Sequence, residues 1–85
     1  RALRAYRDVN LIAMQLLESE GVLVTCSCSG HVGADEFLMM LNDAATEVGV
    51  SLAVLERRGQ AADHPVIASC PETEYLKCFI CRVLR

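Results

Sequence analysis

The sequence predicts an open α/β sheet. Stretches of helical and strand periodicity alternate along the 85 residues, and hydrophobic residues make up 53% against 22% charged. The first strand-like run is rich in β-branched residues and apolar on both faces rather than alternating, as in a strand covered on both sides. The order read from the chain is helix, strand, helix, strand, long loop, strand, the alternation of an open α/β sheet.

Each element follows from its residues. Residues 2–19 carry apolar or small side chains at Leu3, Tyr6, Ala13, Met14 and Leu17, with no Pro or Gly, which predicts a helix ended by Gly21. Val9, Ile12 and Leu16 widen its stripe, as in a helix covered on more than one side. Residues 22–25, Val-Leu-Val-Thr, predict a central strand with helices above and below. It leads into the small-residue turn Cys26-Ser27-Cys28-Ser29-Gly30. In residues 35–48, Phe37, Met40, Leu41, Ala44, Ala45 and Val48 line one face of a second helix. Asp35 and Glu36 suit the positive end of its dipole, and Gly49 suits the C′ position. Residues 50–56 read as a second strand. The polar stretch 57–64 then ends at Pro65, which holds His64 extended. Residues 75–83, rich in Tyr, Leu, Phe, Ile and Val, read as a third strand. Glu72, Glu74 and Lys77 read as its solvated edge. There is no internal repeat, low-complexity tract or interdomain linker.

Length and charge bound the function. Eighty-five residues make one small domain or part of one, and this much apolar content in so short a chain implies that some of it faces a missing neighbour. The first residue is Arg1 rather than Met, read as the mark of an excised fragment. No apolar run approaches the roughly 18 to 20 residues that span a bilayer, and no signal-peptide layout opens the chain. A cytoplasmic protein is expected, its five cysteines reduced thiols rather than a disulfide framework. The net charge of −3 announces no basic patch, so if the protein acts on RNA another segment must supply most phosphate contacts. No Gly-x-Gly-x-x-Gly follows a strand and there is no P-loop, so no nucleotide site of its own is expected.

Four ordered motifs carry a family resemblance. They are Tyr6-Arg7-Asp8-Val9-Asn10 on the first helix, Leu23-Val24-Thr25-Cys26-Ser27-Cys28-Ser29-Gly30 at the first strand's end, Gln60-Ala61-Ala62-Asp63-His64-Pro65 in the loop, and Glu74-Tyr75-Leu76-Lys77 opening the last strand. Together they resemble the C-terminal part of the large-subunit rRNA cytosine-C5 methyltransferases, over nearly the whole chain. The resemblance implies a Rossmann-like class I methyltransferase sheet of strand order 3-2-1-4-5-7-6, preceded in the full-length protein by an N-terminal PUA-type domain. Residues 1–85 would supply strands 5, 6 and 7 with two helices. The cofactor S-adenosylmethionine would be held mostly by upstream residues, and the substrate would be ribosomal RNA. The segment alone is expected to be inactive and to bind the cofactor weakly or not at all.

The implied chemistry selects Cys28. Cytosine C5 is a poor nucleophile until a thiolate adds to C6, after which C5 is enamine-like and attacks a sulfonium methyl group. Substrates of open α/β sheets bind outside the carboxyl ends of the strands, where this turn lies. The following helix points its N-terminus back at the turn, which is expected to lower a thiol pKa. A buried structural thiol is the alternative for Cys28. Cys26 is expected to point into the packing beneath the strand. Ser27, Ser29 and Gly30 shape the turn, with Ser29 also a candidate substrate contact. Asp63 and His64, in a loop able to close over a base, are candidate substrate contacts or a turn held by the Asp carboxylate. His31 is a weaker candidate base, and no residue is identified as the base that removes the C5 proton. Uracil-C5 methyltransferases use a similar Ser-Cys turn, so cytosine rests on the resemblance alone.

Rival readings stay open at this point. Cys26, Cys28, Cys78 and Cys81 could form a zinc module, although cysteines three apart on a strand point to opposite faces. A thioredoxin-like role would need its Cys-x-x-Cys at a helix start, not inside the last strand. A non-catalytic scaffold is the third. With strand 4 absent, residues 22–25 would form an apolar unpaired edge, so homo-oligomers through that edge are expected.

Overall fold

The computed structural model describes residues 2–85. The elements are helix α1 (Ala2–Leu16), strand β1 (Val22–Ser27), helix α2 (Ala34–Val48), strand β2 (Ser51–Arg58), a 3-10 turn (Pro71–Thr73) and strand β3 (Lys77–Leu84). The sheet order is β1-β3-β2, with β3 antiparallel to both neighbours. Strands β1 and β2 are therefore parallel to each other and end at the same edge, where β3 begins. The register fixes this, since Lys77 lies opposite Ser27 and Cys78 opposite Arg58.

Both helices pack on one face of the sheet. In α2 the i, i+3, i+4 spacing buries Phe37, Met40, Leu41, Ala44 and Ala45, and Met14 joins them from α1. Leu23, Phe79, Cys81 and Val83 answer from the sheet. The centre is aromatic: Phe37 meets Tyr6 edge-on at 5.5 Å and stacks on Phe79 at 5.8 Å between ring centroids. Gly49 adopts φ 89°, and its N–H reaches back to the carbonyls of Ala45 and Thr46 at 2.9 and 3.2 Å, the expected left-handed helix stop. At the other end of α2, the Glu36 carboxylate accepts the Gly33 N–H at 3.1 Å.

The expectation of cover on both faces does not hold among the described residues. β1 alternates, with Leu23, Thr25 and Ser27 buried and Val22, Val24 and Cys26 exposed. The exposed set shares the open face with Cys78, Ile80 and Arg82, their partners across the ladder. Likewise Val9, Ile12 and Leu16 of α1 are exposed, Leu16 at 80%, because α1 is covered by α2 and the sheet on one side only. α1 ends at Leu16 rather than Ser19. The left-handed residue after it is Glu20 (φ 68°), while Gly21 passes its carbonyl to the Val83 N–H at 2.8 Å. Arg85 closes this helix end by donating to the carbonyls of Met14 and Leu17 at 2.8 and 2.6 Å.

β2 runs on through Arg57 and Arg58, which composition had placed in the polar stretch. A bulge between Val54 and Glu56 shifts its register. Beyond it, Arg57 lies opposite Phe79 on the covered face, its guanidinium 5.3 Å from the ring centroid. The outer edge of β1 pairs with no strand among the described residues. No helix among them is long and apolar enough to cross a membrane.

Candidate active site at the carboxyl ends of β1 and β2

The strand ends bring the Cys28 turn and the loop 59–76 to one edge of the sheet. Cys28 is the first residue beyond β1, and its side chain is exposed. The turn is built from serines. The Ser27 hydroxyl, fully buried on the covered face, accepts the Ser29 N–H at 3.3 Å, and the Ser29 hydroxyl accepts the His31 N–H at 3.2 Å. Such local bonds are how serine holds a turn. Ser29 thus has the shaping role expected of it. His31 is exposed and contributes its backbone here.

Cys26 does not point into the packing beneath the strand. Because Leu23, Thr25 and Ser27 face the helices, period-two alternation sends Cys26 to the open face. There its thiol donates to Cys78 Sγ at 2.8 Å. Local desolvation, then this hydrogen bond, push the Cys26 thiol up to about 11. At neutral pH it is a thiol and not a nucleophilic thiolate. Cys81 lies on the other face of β3, fully buried in the core, where burial raises its thiol pKa as well. The four cysteines of the zinc reading are therefore split between two faces and do not converge. Nor do any three Cys, His, Asp or Glu side chains cluster for a metal among the described residues.

Lys77 is the residue that sequence reasoning missed. It was read as part of a solvated edge, yet it is 3% exposed. Its ammonium donates to the carbonyls of Ser29, Tyr75 (3.0 Å) and Glu74 (3.3 Å). Its place opposite Ser27 puts it on the covered face, with Phe79 and Cys81 following at i+2 and i+4. That alternation was the available signal: Lys77, Phe79, Cys81 and Val83 share one face of β3. Lys77 and Phe79 also line a shallow cavity of about 170 Å³ at this edge, together with Ala34, Arg57 and Gly59. A larger hollow, about 640 Å³, opens between α1 and α2 around Leu3, Arg7, Met39 and Asp43, and shares none of the residues that line the smaller cavity.

The loop 59–76 is more ordered than its polar composition implies. The Thr73 hydroxyl accepts the Ile67 N–H and donates to the Cys70 carbonyl, both at 2.7 Å. Gln60, first residue of the Gln-Ala-Ala-Asp-His-Pro motif, donates to the Thr73 carbonyl at 2.6 Å and accepts the Leu76 N–H at 3.4 Å. The loop also abuts the Cys28 turn. A Cβ on Gly30 would stand 2.7 Å from the Glu72 carbonyl oxygen, so this close approach requires glycine. Asp63 and His64 are both exposed, their side chains 3.9 Å apart. The imidazole lies edge-on to Tyr75 with 6.4 Å between centroids, and the His64 N–H closes a turn to the Ala61 carbonyl at 2.9 Å. No hydrogen bond joins Asp63 or His64 to the Cys28 turn among the described residues. They share its edge of the sheet, linked to it through Tyr75 and Lys77.

Comparison with known proteins places this geometry. No family model matches the chain. Ribosomal RNA large subunit methyltransferase I of Cronobacter sakazakii (strain ATCC BAA-894) is 51% identical over 83 residues, covering 98% of this chain and 21% of the relative. The protein of that name from Escherichia coli (strain SMS-3-5 / SECEC) gives the same figures. The chain thus spans about a fifth of the length of these relatives. Among solved structures, SMU.776, described as a methyltransferase and complexed with SAH, superposes with a TM-score of 0.82 at 14% identity, over 94% of this chain and 20% of the other. A protein from Streptococcus mutans described as a SAM-dependent methyltransferase gives 0.83 at 13% identity, over 96% and 21%. At such identities the likeness concerns the fold, and the antiparallel β3 between parallel β1 and β2 reproduces the expected 5-7-6 arrangement. The chain therefore has the fold of the strand 5-7-6 part of a Rossmann-like class I methyltransferase sheet, and is similar over almost all its length to one segment of ribosomal RNA large subunit methyltransferase I.

Proposed function

We propose that this chain is the C-terminal part of an S-adenosylmethionine-dependent RNA methyltransferase that methylates C5 of a cytosine in large-subunit ribosomal RNA, with Cys28 as nucleophile. One observation carries the reading: the 83 residues over which the chain is 51% identical to the relative span a turn whose exposed cysteine stands just beyond the carboxyl end of β1. A PUA-type domain and the rest of the sheet lie upstream in this reading. The unpaired edge of β1 then receives the neighbouring strand, and without that strand it is the edge through which copies of the segment would pair.

In this reading the residues present supply little of the cofactor site. The one strand-to-helix turn at this edge runs from Cys28 to Gly33, and its Ser29, His31 and Gly33 N–H groups are taken by Ser27, Ser29 and Glu36. The methyl donor would be held mostly by upstream residues and would supply its sulfonium methyl group. This segment acts on the base. The Cys28 thiolate would add to C6 of the cytosine; C5 would then take the methyl group as its bond to the donor's sulfonium breaks, leaving a neutral thioether, and loss of the C5 proton to a base with release of the thiolate would restore the ring. Asp63, His64 and Ser29 serve as contacts to the RNA around that base. Lys77 and the Ser27 hydroxyl are committed to holding the turn.

The full-length protein, given labelled S-adenosylmethionine and unmodified large-subunit rRNA, is expected to yield 5-methylcytidine as the labelled nucleoside after digestion. Label in 5-methyluridine would move the substrate to uracil. Label on a base nitrogen or a ribose oxygen would remove the thiolate chemistry altogether.

A further inference from the structure

We propose that Lys77 is a positioning residue for the Cys28 nucleophile, its buried ammonium setting where the turn 28–30 stands against the loop 59–76. The proposal rests on the assignment of Cys28 made above.

An ammonium has three N–H donors and no acceptor. In Lys77 all three are directed at backbone carbonyls: Ser29 on the nucleophile turn, and Glu74 and Tyr75 at the end of the loop. The residue is 3% exposed, and no carboxylate lies within ion-pair distance of it among the described residues. A charge removed from water and compensated only by dipoles is costly to hold unless each donor is satisfied in good geometry. The carbonyls cannot drift apart without leaving that charge unsatisfied, so the ammonium fixes the separation of the two segments. Ser29 is the residue directly after Cys28, so its carbonyl position governs where the sulfur stands.

A second contact opposes the first. Lys77 draws the Ser29 carbonyl toward the loop, while at Gly30 the chain already touches the Glu72 carbonyl, with no room for a Cβ. The turn is held between a tie and a stop, on either side of one peptide unit. A surface salt bridge would not serve in this way, because exposed ion pairs are weak and adaptable. Misplacement of a nucleophile by about 1 Å costs on the order of 100-fold in rate.

The test uses the full-length protein and RNA carrying 5-fluorocytidine, which traps the enzyme bonded to C6. The amplitude of trapping counts the folded, competent fraction, and its rate constant reports the placement of the sulfur. A merely structural role would lower the amplitude and leave the rate constant alone. Lys77→Met is expected to lower the rate constant by about 100-fold, with RNA affinity within about threefold of wild type. Lys77→Arg keeps the charge but not the shape, and is expected to fall in between, with a loss of about tenfold. If Lys77→Met does not fold, Lys77→Arg alone decides. A rate constant within about fivefold of wild type in any folded Lys77 variant overturns the proposal, and a larger fall supports it. Cys28→Ala runs alongside: an adduct there would sink the nucleophile assignment and the positioning role with it, whereas loss of the adduct there with an unchanged rate constant in the Lys77 variants would sink the role of Lys77 alone.

Discussion

Cys28→Ala should abolish methyl transfer by the full-length protein, a loss of at least about 10⁴-fold, while Cys26→Ala should leave the rate within about fivefold of wild type. The two cysteines are two residues apart, so the contrast must come from their surroundings. Cys28 has left the ladder and is exposed at the sheet edge where α/β enzymes place substrates. Cys26 is still in β1, its sulfur 2.8 Å from that of Cys78 on the open face, with its pKa pushed up to about 11. At pH 7.5 Cys26 is therefore overwhelmingly the neutral thiol. Removing it should cost on the order of 1 kcal/mol or less, since it is exposed and lies outside the core. The measurement is steady-state methyl transfer to unmodified rRNA at pH 7.5 for both variants, with folding checked by thermal unfolding. Loss of activity in Cys26→Ala with retention in Cys28→Ala would reverse the assignment.

The largest effect on stability is expected at Phe37. Its side chain is fully buried and touches both other core aromatics, Tyr6 of α1 and Phe79 of β3. It is therefore the point at which α1, α2 and the sheet meet. Phe37→Ala removes the ring's transfer energy and leaves a cavity that three elements would have to close together, so a loss of about 3–5 kcal/mol is expected. Phe37→Leu keeps much of the volume and should cost about 1–2 kcal/mol. Urea unfolding of the protein reads both as lower midpoints. A cost under about 1 kcal/mol for Phe37→Ala would mean that the helices are not anchored to the sheet at this ring.

What the sequence disclosed follows the strength of its local signals. The second helix was read as residues 35–48 and found as Ala34–Val48, because its apolar stripe is regular and Gly49 is the residue that tolerates φ 89°. The order of elements was legible for the same reason. The cover on β1 was not. Val22 and Val24 are as apolar as Leu23, so composition gives no hint that only one face meets helices among the described residues. That error carried over to Cys26, whose side follows from the parity of the strand rather than from its own character. For Lys77 the obstacle was chemical. A buried lysine is expected to have a carboxylate partner, and here the partners are the carbonyls of Ser29, Glu74 and Tyr75, which every residue type possesses and no motif marks. The hydrogen-bonded loop around Gln60 and Thr73 stayed hidden likewise, since its partners are mostly backbone.

The most direct test of the account is to find the atom that bonds to the base. Full-length protein trapped on 5-fluorocytidine RNA is digested with nuclease and protease, and the modified peptide is sequenced by tandem mass spectrometry. The account predicts one nucleotide mass on Cys28 and an unmodified Cys26 in the same peptide. A nucleotide on Cys26, or on any cysteine outside this segment, would contradict it.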